Sequence, residues 1–312
     1  MRVLIVGLGS IAQKHIHALR KIEPDIQLVA LRTGKSKNNL AGVTNIYHIA
    51  ELEQKFDFAI ISNPSTKHLE SIKDLMFLKI PLFIEKPPLA SLEGAGELVA
   101  AIEKEQIITY TAFNLRFHPV LQWVRNNIAD KRVLEVQAYC GSYLPKWRPQ
   151  ADYRNVYSAK KELGGGVHLD LIHELDYVSW IFGRPQSVQG YISKVSDLEI
   201  DVPDVAHYWL QYEKMVASII LNYYRRDSKR TLEIVFEDLT WTVDLINNKV
   251  CDASGSILFE ALPSVLHTYE EQMLYFINCL KSGSKPMNSI DEALHTLEMS
   301  LNIRQEKDDL RR

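Results

Sequence analysis

The residues with the clearest chemical meaning are Gly7-Leu8-Gly9-Ser10-Ile11-Ala12, which follow the apolar run Val3-Leu4-Ile5-Val6 and open a helical pattern. In a strand-turn-helix context this spacing suits a dinucleotide. Gly7 makes the tight turn, Gly9 admits the pyrophosphate to the backbone and Ala12 packs helix on strand. The amides around Ser10 and Ile11 are then offered to phosphate at a helix start. Leu31-Arg32-Thr33-Gly34-Lys35-Ser36-Lys37 closes the second strand without the carboxylate that an NAD ribose usually meets. Arg32, Thr33, Lys35 and Ser36 instead suit a 2′-phosphate, so NADP(H) is expected ahead of NAD(H); the other reading is a solvated basic loop. Ser62-Asn63-Pro64-Ser65-Thr66-Lys67-His68 and Glu85-Lys86-Pro87-Pro88 lie at the ends of the strand runs Phe58–Ser62 and Leu82–Glu85, at the edge where open α/β sheets hold ligands. Glu85 and Lys86 read equally well as a surface charge pair. Finally, Gly164-Gly165-Gly166 leads into His168, Asp170, His173 and Asp176. A metal is not expected there, because positions i, i+2 and i+5 do not share one helical face and no cysteine is near.

Such groups need elements to hold them. Over the first 118 residues short apolar runs (Arg2–Val6, Gln27–Arg32, Phe58–Ser62, Leu82–Glu85, Ile107–Ala112) alternate with helical patterns (Ile11–Ile22, Lys67–Leu78, Leu92–Lys104). That rhythm predicts βαβ units and a doubly wound parallel sheet. After Pro119 the pattern changes to a helix at Val120–Ile128, a strand at Val133–Tyr139, a polar and aromatic loop, and one amphipathic helix from about Val167 to Phe182. Five β-rich runs follow without an intervening helix (Ser187–Lys194, Val205–Tyr212, Val216–Tyr224, Thr231–Phe236 and Leu239–Leu245), then helices near His267–Lys281 and Asp291–Gln305. The expected fold is therefore α/β: a Rossmann domain over residues 1–118 and an α+β domain with an open, mainly antiparallel sheet over 119–312.

Composition narrows the class. At 312 residues, two domains are the prior. Lys plus Arg (36) against Asp plus Glu (39) leaves a net charge of −3, which gives no footprint for nucleic acid. The longest stretch free of charged residues, Asn38–Ala50, has 13 residues, short of the roughly 20 that a membrane helix needs. The opening Met1-Arg2-Val3-Leu4-Ile5 lacks the regions of a secretion signal. Three dispersed cysteines form no disulfide framework or CxxC site, so a reducing cytoplasm is expected.

Taken in order, these motifs resemble the Gfo/Idh/MocA oxidoreductases, the glucose–fructose oxidoreductase and inositol dehydrogenase group. The resemblance runs through Gly7–Ala12 with His15, Asn63-Pro64 with His68, Glu85-Lys86-Pro87, Phe113-Asn114-Leu115-Arg116-Phe117-His118-Pro119, and the triple glycine with Asp170, His173 and Asp176. It implies hydride transfer between a nicotinamide cofactor and a sugar, polyol or sugar derivative, and a homodimer or homotetramer built on the C-terminal sheet. It implies Lys86 as the active-site lysine, Glu85 as a partner of the cofactor ribose, and Asn63, Pro64, His68, Asn114 and Arg116 on the cofactor side. Asp170 and His173 correspond to the acidic residue and the general acid/base, but they stand three apart where relatives show four.

In that chemistry His173, with an ordinary pKa of about 6.5, moves the hydroxyl proton, Lys86 polarises the oxygen and Asp170 positions one of them. The stretch from Tyr143 to Lys161, with Trp147, Arg154 and Tyr157, offers aromatic faces to a sugar ring and cations to a carboxylate or phosphate. An acidic or nucleotide-linked sugar is one reading of this loop, and its resemblance to the loop of family members in surface-polysaccharide pathways implies a substrate of that metabolism; an ordered surface or subunit-contact loop is the other reading. Two further functions fit the same motifs: a non-catalytic dinucleotide-binding regulator, and an NAD-dependent lyase or hydrolase that recycles its cofactor internally.

Overall fold

Val3, Leu4, Ile5 and the whole of Phe58–Ile61 have no exposed surface, as strands covered by helices on both faces require. The computed structural model of the chain describes residues 1–34, 39–52, 55–262 and 265–301. Strands β1 (Arg2–Val6), β2 (Gln27–Leu31), β3 (Val43–Ile46), β4 (Phe58–Ile61), β5 (Leu82–Glu85) and β6 (Thr109–Ala112) form one sheet in the order β3-β2-β1-β4-β5-β6. Every pairing in it is parallel. The crossovers carry α1 (Ser10–Ile22), α2 (His68–Leu75) and α3 (Ala95–Lys104). Strand order reverses between β1 and β4, so their carboxyl ends bound the crevice where folds of this type hold a dinucleotide.

The second sheet has the order β14-β13-β12-β11-β7-β10-β9-β8. Ahead of it comes α4 (Pro119–Asn127), then β7 (Val133–Gly141), α5 (Val167–Asp170), α6 (His173–Phe182) and β8 (Ser187–Ser193). The chain continues through β9 (Val205–Gln211), β10 (Val216–Asn222), β11 (Lys229–Phe236), β12 (Thr240–Asp244), β13 (Lys249–Asp252) and β14 (Ile257–Glu260). Strands β7 and β10 pair parallel; the other pairings are antiparallel. One face buries Val136, Ala138, Ala217, Ile219, Leu221, Leu232 and Ile234, while the other leaves Trp209 50% and Tyr191 54% exposed. Strands β8 to β12 fall on the five expected runs, and β13 and β14 extend the sheet beyond them. The single helix expected from Val167 to Phe182 is two, because Leu171 departs from helical dihedrals at φ −98° and ψ 29°.

The last elements among the described residues are α7 (Val265–Ser282) and α8 (Ile290–Leu301); the expected helical residues beyond Leu301 lie outside the described residues. Packing divides the protein into two compact units: Met1–Asn114 with Ser264–Leu297, and Leu115–Pro263 with the chain from Glu298. A division into 1–118 and 119–312 does not anticipate the return of α7 to the first unit. The cause is aromatic: Phe276 lies 5.2 Å, 5.4 Å and 5.6 Å, ring to ring, from Phe58, Phe83 and Tyr110. An apolar helix face goes where matching apolar surface is available, and sequence rhythm carries no address for it.

Candidate functional residues of the two units

In the first unit the turn after β1 is shaped by glycine. Gly7 has φ +83°, and a Cβ there would stand 2.9 Å from the Asn63 backbone, so no larger residue fits. At Gly9, by contrast, a Cβ would meet nothing within 4 Å. The backbone is therefore open where a pyrophosphate would approach. Helix α1 begins at the next residue with no side-chain cap and no acidic residue in its first turn, and Ala12 is fully buried beneath it. The first amides of α1, which have no partners inside the helix, and the positive dipole end remain available to an anion.

Asn63 follows β4. Its Nδ2 donates to Ser71 Oγ at 2.8 Å, while its Oδ1 is buried and meets no hydrogen-bond partner among the described residues. An acceptor held in that state is completed by a donor such as a carboxamide. The open backbone at Gly9 and the waiting Asn63 oxygen together fit a nicotinamide dinucleotide. His68 is 1% exposed, and its ring nitrogens face the carbonyls of Pro87, Pro88 and Asn63 at 3.0–3.1 Å. Burial pulls its pKa below the usual imidazole value, against the opposing pull of those carbonyls and Glu85. The ring thus ties the loop after β4 to the loop after β5.

At the end of β5, Glu85 Oε1 lies 2.5 Å from His15 Nε2, and Oε2 accepts from the Lys86 amide at 3.1 Å. Lys86 is half-buried and precedes a cis peptide bond to Pro87. Arg32, just past β2, is buried and donates to Asn45 Oδ1 on β3 at 3.2 Å. Thr33 is exposed, and Lys35 and Ser36 lie outside the described residues. Asn114 is buried, with its Nδ2 donating to Thr268 Oγ1 of α7 at 2.8 Å.

In the second unit the triple glycine answers to crowding. A Cβ on Gly165 would stand 2.4 Å from the Tyr157 carbonyl oxygen and 2.8 Å from that of Ser158. The Tyr157 hydroxyl donates to the Gly164 carbonyl at 3.0 Å, closing the loop on the glycines. Trp147 Nε1 donates to Ser142 Oγ at 2.7 Å, and its ring meets Tyr223 edge-on at 5.3 Å. Arg154 is exposed and already committed. Its guanidinium forks onto Asp152 at 2.9 Å and reaches Glu199 at 3.2 Å. It is poorly suited to an external anion, since Asp152 within the loop and Glu199 outside it already answer its charge.

Asp170 closes α5 and accepts from the Tyr223 hydroxyl at 3.1 Å. Burial raises the Tyr223 hydroxyl well above its usual pKa, and the carboxylate raises it further. The His168 ring stands against Gly166, and burial pushes its pKa down to about 4. His173 opens α6 with 8% of its surface exposed. The two residues that follow it on the helix shoulders, Glu174 and Asp176, have no exposed surface and each meets an arginine. Arg116 Nε and Nη2 fork onto Asp176 at 3.0 Å and 2.6 Å, and Arg230 Nε and Nη2 fork onto Glu174 at 2.7 Å and 3.1 Å. Burial, the largest single influence, lowers the Arg230 pKa; the Glu174 charge and hydrogen bonds, with Cys140 and Tyr177, together outweigh it and the net shift is upward.

Asn45, Tyr223, Glu174 and Arg230 are absent from the residues singled out by sequence. One signal was available for Glu174: with Asp176 it is one of two carboxylates set among Leu171, Ile172, Leu175, Tyr177 and Val178, where a buried charge demands a partner. Nothing in the sequence names Arg230 as that partner. Arg116 and Asn114, expected on the cofactor side, direct their polar ends to Asp176 and Thr268.

An open six-stranded parallel sheet with a glycine turn at its crossing point defines a dinucleotide-binding α/β protein, here joined to a second, largely antiparallel unit. Comparison with known proteins makes this specific. Residues 1–113 match the Gfo/Idh/MocA description "Oxidoreductase family, NAD-binding Rossmann fold", and residues 121–241 match the Gfo/Idh/MocA C-terminal domain. The chain belongs to the Gfo/Idh/MocA oxidoreductase family, as the order of its motifs implies, and its cofactor is a nicotinamide dinucleotide.

Among curated relatives, the uncharacterized oxidoreductase YrbE of Bacillus subtilis is 24% identical over 187 residues, 57% of this chain and 53% of that protein, so the match spans about half of that relative. Myo-inositol 2-dehydrogenase of Thermotoga maritima is 23% identical over 308 residues, 92% of this chain and 90% of that protein. Among solved structures, the WlbA dehydrogenase from Bordetella pertussis in complex with NADH and UDP-GlcNAcA shares the fold with a TM-score of 0.78 and 19% identity, covering 96% of this chain and 93% of that one. Among the described residues no helix is long and apolar enough to cross a membrane.

Proposed function

We propose that this chain is a cytoplasmic dehydrogenase of sugars or sugar derivatives that prefers NADP(H), with Lys86 and His173 acting on the alcohol. The observation that carries the reading is the edge of the first sheet. The open turn at Gly9, the waiting Asn63 oxygen and the half-buried Lys86 stand at the ends of β1, β4 and β5. The bound nicotinamide supplies the hydride acceptor or donor. The chain's own residues orient the substrate and move its proton. Lys86 holds the substrate oxygen as a charged donor, and His173 takes the hydroxyl proton near neutral pH. Asp170, fixed by Tyr223, positions the substrate or one of these two groups.

Arg32 supports the NADP(H) preference, because Asn45 holds its guanidinium where a ribose carboxylate partner would otherwise be expected. The acidic or nucleotide-linked sugar rests on Trp147 and the cations from Lys146 to Lys161, less on Arg154, whose ion pairs are internal. Residues 1–118 hold the dinucleotide and 119–312 the substrate side, with α7 serving the first unit. The exposed face with Tyr191 and Trp209 joins copies into a homodimer or homotetramer, which sedimentation measures.

The test is turnover of NAD+ and NADP+ with a panel of myo-inositol, neutral sugars, free acidic sugars and UDP-sugars. NADP+ with an acidic or UDP-linked sugar is the expected pair; turnover of neutral polyols alone would count against the substrate assignment. Lys86→Ala and His173→Ala should each lower kcat by roughly 100-fold or more while NADPH still binds. Normal turnover in either variant removes that residue from the chemistry. Product without net cofactor reduction would indicate lyase or hydrolase chemistry, and cofactor binding without any product a regulator.

A further inference from the structure

The first turn of α6 is held from two sides. At roughly 100° per residue, Glu174 projects about 100° to one side of His173 and Asp176 about 60° to the other. Both carboxylates are fully buried, and each is forked by an arginine brought in from a distant part of the second unit, Glu174 taking two hydrogen bonds from Arg230 and Asp176 three from Arg116. Arg116 comes from the segment before α4, and Arg230 from β11. A two-pronged guanidinium fixes direction as well as distance, which a single ammonium does not. Turning α6 about its axis in either sense lengthens one fork or compresses the other. Arg116 is itself placed by further contacts: its backbone carbonyl accepts from Gln122 Nε2, and its guanidinium lies 5.9 Å from the Trp180 ring, two turns along α6 from His173.

We propose that the Arg116–Asp176 and Arg230–Glu174 forks lock the rotation of α6 and thereby aim the His173 imidazole, making both arginines positioning residues for proton transfer. The inference rests on the role given to His173 above. It moves Arg116 from the cofactor side to the proton-transfer side.

The experiment compares Arg116→Lys and Arg230→Lys, which keep the charge and lose the fork. A neutral pair, Arg116→Gln with Asp176→Asn, covers the case in which a lysine variant does not fold. NADPH affinity, measured by fluorescence, should stay within about twofold of the parent for each, because none of these residues is asked to touch the cofactor. With the substrate that the panel turns over, kcat should fall roughly 10- to 100-fold with little change in KM, the scale of a misplaced reacting group. In a His173→Ala background the same substitutions should change kcat by less than about twofold, because there is no imidazole left to aim.

Histidine nitrogen NMR gives a readout that needs no substrate. The His173 signals, identified by their loss in His173→Ala, should show an altered tautomer balance and titration midpoint in the lysine variants, with histidines remote from the forks unmoved; His118, which the Arg230 charge already influences, is not a control. Unchanged His173 signals, or an equal loss of kcat with and without His173, overturns the positioning role. Normal turnover by His173→Ala itself overturns instead the assignment of the proton to His173, so the two failures are told apart.

Discussion

At the ligand edge of the first unit the working groups are backbone amides, a glycine turn and one amide oxygen left without a partner; around α6 in the second unit they are buried charges, each already answered by another. Gly9 faces open space, and Asn63 Oδ1 awaits a donor. Glu174 and Asp176, by contrast, have no exposed surface and no unfilled demand. The first arrangement is built to receive something and the second to hold something still. Substitutions should divide accordingly: at the edge they alter ligand affinity and spare stability, while around α6 they cost stability first.

The sharpest way to break that comparison is Glu174→Ala. It leaves the buried Arg230 guanidinium without its counter-charge, a loss of about 3–5 kcal/mol for such pairs. Urea denaturation should show the midpoint falling with an unchanged slope. Replacing both partners, Glu174→Leu with Arg230→Met, should restore most of that stability, because no orphaned charge remains. A loss under about 1 kcal/mol for the single variant would show that the fork is not what holds α6.

A smaller effect follows from acid. Burial, with the Arg230 charge adding to it, holds His118 down at about 4, and burial alone does the same for His168. Both groups belong to the second unit. Unfolded imidazoles titrate near 6.5, so below that pH the unfolded chain binds more protons than the folded one. The stability these rings contribute is present in full above about pH 6.5 and is lost as pH falls toward about 4, on the order of 3 kcal/mol for each. His68 in the first unit shifts in the same direction by burial and adds to the slope. His118→Phe should flatten the fall in denaturation midpoint across this window, and an undiminished slope would place the acid sensitivity elsewhere.

The same contrast explains what sequence reading reaches. Gly7, Gly9 and Ala12 lie within six positions, and a strand run precedes them. Their geometry is local, so spacing alone predicts it. The strands from β1 to β6 are equally readable, except β3, whose Val43-Thr44-Asn45-Ile46 forms no clear apolar run. Arg116 and Asp176 stand 60 positions apart, and Arg230 and Glu174 stand 56 apart. Such pairs are fixed by tertiary packing, and a single sequence gives no rule for matching one arginine to one carboxylate. The break at Leu171 between α5 and α6 is hidden for a related reason, since Val167–Phe182 keeps helical periodicity through it. Trp147, Arg154 and Tyr157 were chosen by type, yet their polar groups reach Ser142, Asp152 and Gly164. Residue type says what a side chain can bind; only the fold says whether it is already bound.

The smallest predicted effect tests the receiving side of the comparison. Gly9 has φ −79° and ψ −172°, an extended conformation open to any L-residue, and a Cβ there touches nothing. Gly9→Ala should therefore cost less than about 1 kcal/mol of stability, the scale of a changed N-cap. The added methyl would instead occupy space through which a pyrophosphate approaches the first amides of α1. Affinity for NADPH should weaken roughly tenfold, equivalent to about 1.4 kcal/mol, as titration calorimetry would register. Loss in both units of measure, folding and binding together, would mean that the turn is part of the first unit's support. Loss of neither would move the phosphates away from Gly9. Only the split result, stable protein with weakened cofactor, keeps the turn as an open receiver, in contrast to the locked helix of the second unit.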